Sequence, residues 1–216
     1  MKIRVLFIVL TASLLTGCAS AYYNAWDKAG IHKRDILVSR VEKTRDSQEE
    51  AQDEFKDALE QFGSIVTLQN TDLKQAYDKL SAEYEDSQDA AAAVTDRINS
   101  VESVANALFE EWESEIAQYT NADFKQSSTA QLRETRTRYG GMMSTMRQSE
   151  QSMQPVLQTF KDNVLFLKHN LNAQAIGSLR GEFASLEDDI AVLIREMNRS
   201  IAESNQFIEE LRGASA

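Results

Sequence analysis

The chain has 216 residues, 34 of them acidic and 23 basic, for a net charge of −11. That balance excludes nucleic acid as a partner, because phosphate binding needs clustered Lys and Arg, and it argues against wide contact with anionic lipid. One Pro, eight Gly and one Cys exclude a disulfide framework and disfavour a fold built on strands and tight turns, which leaves long helices as the expected element.

Taken in chain order, the first element is a signal. Met1-Lys2-Ile3-Arg4 is basic, Val5 to Leu15 is apolar apart from Thr11 and Ser13, and Leu15-Thr16-Gly17-Cys18 has the form of a bacterial lipobox. The apolar run is shorter than the roughly 20 residues that span a bilayer, so it is expected to be removed rather than kept. Residues 1–17 then form a lipoprotein signal peptide, and the mature chain begins at Cys18 with acyl groups such as palmitate on its sulfur and amine. Loss of Lys2 and Arg4 leaves 21 basic against 34 acidic residues, a mature net charge of −13. The position after the cysteine is Ala19 rather than the Asp that retains lipoproteins in an inner membrane, so the expected location is the outer membrane, facing the periplasm.

Residues 18–32 are expected to form a lipid-anchored segment, in which Ser20 could cap and Gly30 could end a short helix. Tyr22, Tyr23 and Trp26 suit a membrane–water boundary; packing of Trp26 on the end of a helical core is the favoured alternative. Residues 33–212 are expected to form the helical domain, and 213–216 a tail. The first long helix runs from about Lys33 to Leu68, with Val38, Val41, Phe55, Leu59, Phe62 and Val66 on a three-four spacing. The second runs from Asp72 to about Tyr119. Its seam (Leu73, Tyr77, Leu80, Tyr84, Ser87, Ala91, Val94, Ile98, Val101, Ala105, Leu108, Trp112) alternates four and three without a break, the heptad pattern. Asp123 with Gln126 suggests the cap of the third, which runs from Phe124 to about His169. It carries Leu132, Thr135, Tyr139, Met142, Met146, Met153, Phe160 and Val164. Pro155 is expected to kink this helix without ending it. The fourth reaches Arg212 through Ile176, Leu179, Phe183, Leu186, Ile190, Leu193, Met197, Ile201 and Ile208.

Short connections force neighbouring helices antiparallel. The expected fold is therefore all-α: an elongated, antiparallel up-down four-helix bundle, or intramolecular coiled coil. Folding the segments about their turns groups residues into layers. Trp112 is expected near Trp26, Leu132 and Leu211. Gly140 and Gly141 are expected near Ala105 and Ala202, where small residues would permit close helix approach. Arg45 is expected near Glu150, Val94 and Leu193. Arg45, Gln48 and Gln52 hold seam positions, where buried polar groups fix register. The same seams would serve four helices of one chain or helices of several.

No catalytic set is evident. His32 and His169 have no ligand partners at metal spacing. Met142, Met143, Met146 and Met153 read as core rather than as a copper site. Gly177 and Gly181 lack the strand and Lys-Ser/Thr of a phosphate loop. Glu49-Glu50, Glu110-Glu111 and Asp188-Asp189 read as solvated faces. The reading is a protein that is not an enzyme, with no cofactor and no metal.

Tyr22-Tyr23-Asn24-Ala25-Trp26-Asp27-Lys28 running on to Val38, Val41-Glu42, Asp46-Ser47-Gln48-Glu49-Glu50-Ala51, and Phe166-Leu167-Lys168-His169-Asn170-Leu171-Asn172-Ala173 together resemble the family catalogued as domain of unknown function 2959. The resemblance spans nearly the whole mature chain. It implies a helical bacterial lipoprotein and brings no activity, ligand or site residue with it.

The expected role is structural, or presentation of a helical surface to an envelope protein; activation of a cell-wall enzyme belongs with this reading. Up-down topology puts the anchor, the loop at Asn121 and the C-terminus at one end. It puts the turns holding Asn70, His169, Asn170 and Asn172 at the other, where these residues are candidates for partner contact, with plain turn chemistry as the alternative. A second expectation is a carrier of an apolar ligand in a cavity lined by Met142, Met146 and Phe109.

Overall fold

The computed structural model describes residues 32–67, 73–170 and 173–213. Its four helices are α1 (Lys33–Thr67), α2 (Leu73–Gln118), α3 (Ala122–His169) and α4 (Ala173–Gly213), and no strand occurs among the described residues. The fold is an all-α four-helix bundle. The expected anchor at Cys18, the short helix before Gly30, and Trp26 lie outside the described residues.

Each helix follows from its seam. Every seam residue of α2 is buried or half-buried, with Val94, Ile98, Val101 and Ala105 fully so. In α3, Met142, Met146, Met153 and Phe160 are at most 1% exposed, so the methionines are core side chains. α3 passes unbroken through Pro155, whose ring sits on the exposed side. The helix starts two residues earlier than the sequence suggests, because Asn121 rather than Asp123 is the cap. The Asn121 Oδ1 accepts from the backbone N–H groups of Asp123 (2.9 Å) and Phe124 (3.1 Å). Asp123 falls instead in the first turn, where a carboxylate complements the helix dipole.

The described chain divides into two compact units, residues 32–40 with 99–138 and residues 41–98 with 139–213. The first holds the start of α1, the end of α2 and the start of α3. Leu37, Val38, Val101, Val104, Leu108, Phe109, Ile116 and Leu132 form its core. α2 and α3 run antiparallel about the Asn121 turn.

The second unit contains parts of all four helices. Polar contacts fix α4 antiparallel to α1: Glu42 with Arg212 (2.7 Å), Arg45 with Asn205 (3.1 Å), Gln52 with Asn198 (3.2 Å), and the Val66 carbonyl with Arg180 Nε (2.6 Å). Residue numbers rise along one helix as they fall along the other. At one end of this unit the Phe62 ring meets Phe160 at 6.4 Å between centroids and Phe183 at 5.8 Å, in edge and tilted arrangements that favour aromatic pairs.

Two layer expectations need correction. Arg45 is half-exposed; its guanidinium bonds Asp46 and reaches Asn205, about three turns beyond the Leu193 level expected for it. The register between α1 and α4 therefore differs from the expected one by about three turns, since a repeating seam specifies the relative slide of two helices only weakly. Gly140 and Gly141 are exposed, and a Cβ at either would meet nothing within 4 Å, so they mediate no close approach. Gly63 takes that role: a Cβ there would lie 3.1–3.2 Å from the Phe183 ring.

Candidate functional site

In the second unit, α1 brings a polar group into the interior. Gln48 is fully buried, as are Ser149 of α3 and Ser200 of α4. The Gln48 Nε2 donates to Ser149 Oγ (2.7 Å) and Ser200 Oγ (3.0 Å), and Ser200 Oγ donates back to Gln48 Oε1 (3.1 Å). Ser149 Oγ also donates to the Met146 carbonyl (2.8 Å). One amide thus ties three helices at a single level. The sequence marked Gln48 as a polar seam residue but not its partners, because a serine carries no pattern signal. Thr44, Ser47 and Gln52, nearby on α1, are also buried, so the layer is polar across several turns. Elsewhere in this unit the Ser87 hydroxyl of α2 is buried with no hydrogen-bond partner, the single such side-chain atom among the described residues.

Of the residues suggested for partner contact, Asn70 and Asn172 lie outside the described residues. His169 is the exposed last residue of α3. Asn170 closes that helix: its backbone N–H donates to the Leu167 carbonyl (3.1 Å) and its side-chain Nδ2 to the Phe166 carbonyl (2.9 Å). Its amide donor is therefore engaged in ending the helix, as plain turn chemistry requires. Beside this end, α3 and α4 border a groove of about 400 Å³ lined by Asn163, Phe166, Leu179 and Glu182 among others.

The first unit has the more featured surface. The His32 carbonyl accepts from the N–H groups of Asp35 (2.9 Å) and Ile36 (3.2 Å), starting α1. Lys33 is only 5% exposed, and its ammonium is paired with Glu111 of α2 at 2.8 Å. Arg34 lies over the Trp112 ring at 5.7 Å, and the indole N–H donates to Ser128 Oγ of α3 (2.8 Å). These contacts border a groove of about 520 Å³ that also takes in His32, Glu115, Tyr119 and Gln131. Farther along, Arg136 bonds Glu113 and covers the Phe109 ring at 5.1 Å.

Charge states follow from these neighbours. The hydrogen bond and positive charge of Arg136 hold the Glu113 carboxyl below its ordinary range. In the second unit, partial burial pushes the Glu83 carboxyl up, and the negative charges of Asp86, Asp57 and Glu54 add to it. The hydrogen bond from Arg45 to Asp46 raises the Arg45 guanidinium further. Glu49, Glu50, Glu110 and Asp188 are exposed, and Glu111 is committed to Lys33. Among the described residues no group of three His, Cys, Asp or Glu is placed to hold a metal ion. Met142 and Met146 fill the core of the second unit, and Phe109 is buried in the first. No helix among the described residues is long and apolar enough to cross a membrane.

The model of a family described as protein of unknown function (DUF2959) matches residues 22–211, and the chain belongs to that family. Comparison with curated proteins and with solved structures yields no match.

Proposed function

We propose that this protein is a lipid-anchored component of a bacterial envelope, held in the outer membrane facing the periplasm, and that it acts through its helical surface on a protein partner rather than by catalysis. The observation that carries this reading is the Leu15-Thr16-Gly17-Cys18 sequence behind a basic start and a short apolar run. Acyl chains on Cys18 would give the attachment. The non-catalytic role is supported by the way the polar side chains are spent. The Gln48 amide ties helices together, Lys33 is tied to Glu111, and Asn170 ends a helix. None of these forms a set in which a nucleophile, a base and an orienting group converge.

Metabolic labelling with a palmitate analogue tests the anchor. The native chain is expected to be labelled and to fractionate with membranes; Cys18→Ser is expected to lose the label and leave the bilayer after mild extraction. Full membrane retention of Cys18→Ser would overturn the reading. Crosslinking in the native envelope, followed by capture of the chain, then identifies the partner and the stoichiometry together.

A further inference from the structure

The turn between α2 and α3 is the least covered part of the first unit. Residues 117–127 are all exposed. Tyr119 and Phe124 stand on either side of the turn, 43% and 63% exposed, and Phe124 is the most exposed large apolar side chain among the described residues. Its position is fixed rather than incidental, because Asn121 caps its own backbone N–H and sets the first turn of α3. Scattered exposed apolar residues are ordinary. Two aromatics about one capped turn, with no buried residue between them, are a small presented surface.

Charge and chain direction identify what it faces. From Gln118 to Leu132 the sequence carries one acid, Asp123, and one base, Lys125, in a chain with 34 acids and 23 bases. This surface is therefore locally neutral on an acidic protein, suited to a zwitterionic layer. Tyr119 lines the same groove as His32, so the turn and the start of α1 lie at the same end of the unit. Cys18 precedes His32 by 14 residues, a span of at most about 50 Å when fully extended. A lipid on Cys18 thus keeps this end within reach of the bilayer.

We infer that the α2–α3 turn docks on the membrane surface, with Tyr119 and Phe124 at the headgroup level, so that the first unit is held by two points: the acylated cysteine and this aromatic turn. The inference rests on the lipid-anchor reading. Tyr at a membrane–water boundary and Phe on the apolar side of an interfacial helix are favoured placements. The lipid on Cys18 supplies the durable attachment, and the docked turn would add a second, weak contact that fixes how this end meets the bilayer.

The test uses the full lipidated chain in phosphatidylcholine vesicles. With the Cys18 sulfur acylated, a cysteine introduced as Thr120→Cys takes a polarity-sensitive dye at one place, and Thr137→Cys, an exposed position of α3 in the same unit, is the comparison. Docking predicts a blue shift and quenching by headgroup-proximal doxyl lipid at 120, neither at 137, and loss of both at 120 when Phe124→Ser and Tyr119→Ser are added. Flotation with the vesicles is scored in the same samples. A chain that floats while its dye at 120 stays water-like overturns the docking and leaves the anchor standing; a chain that does not float overturns both. A blue shift that depends on protein concentration and not on lipid assigns the surface to a second copy of the chain, which also overturns the inference.

Discussion

The layers around Gln48 and Phe62 lie on the same helix about four turns apart, yet they hold the second unit together by different means. Around Phe62 the interior is aromatic and aliphatic: Phe55, Phe62, Ile65 and Phe160 are all at most 1% exposed. Contact there is non-directional, and its strength scales with area removed from water. Around Gln48 the same helix buries an amide that must meet serine hydroxyls of α3 and α4 at set distances. Exchanging water for these bonds brings only about 0.5–1.5 kcal/mol each, but leaving one unmade costs more. One layer supplies stability and tolerates sliding; the other supplies little and forbids it.

Four variants sharpen or break this contrast. Phe62→Ala is expected to cost about 3–5 kcal/mol in urea unfolding, because it opens a cavity against Phe160 and Phe183. Gln48→Ala is expected to cost about 2–3 kcal/mol, since it strands Ser200 and removes buried volume. The combined Gln48→Leu, Ser149→Ala and Ser200→Ala chain is expected within about 1 kcal/mol of the native protein or above it. Its spin-label distances between α1 and α4 should broaden. A narrow distribution in that chain would show that the apolar seams set the register unaided. The smallest effect is Ser87→Ala: deleting a buried hydroxyl with no partner should raise stability by about 1 kcal/mol. A loss there would mean that the hydroxyl is satisfied in solution.

The same contrast explains what could be read from the sequence. Helix extents and buried faces were legible because apolar residues recur at three-four spacing, and the ends of α1, α2 and α4 fall within a residue or two of expectation. Register was not, because it is decided between helices. Arg45 resembled a seam residue, but the interior at that level is reached by Gln48, and Arg45 turns outward to Asn205. Gly140 and Gly141 drew notice as a pair, while the lone Gly63 is the one that admits a ring. Asp123 with Gln126 matches a capping pattern, yet it is the Asn121 side chain that accepts from the first free N–H groups. As for the surface at the α2–α3 turn, the sequence puts Tyr119 at the end of one helix and Phe124 at the start of the next but marks neither as exposed. One aromatic beyond a seam carries no periodic signal, and its exposure becomes visible only when the neighbouring helices are in place.

The pairing of buried Lys33 with the half-exposed Glu111 has a mechanical consequence. Any pull transmitted through the proposed lipid anchor would reach the described helices at the first turn of α1. There the ammonium is already clamped to a carboxylate on α2, so strain passes sideways into a second helix instead of peeling α1 away one residue at a time. Detaching that turn requires separating the two charges and rehydrating a side chain that is almost wholly enclosed, which makes the point of traction one of the better secured places in its unit.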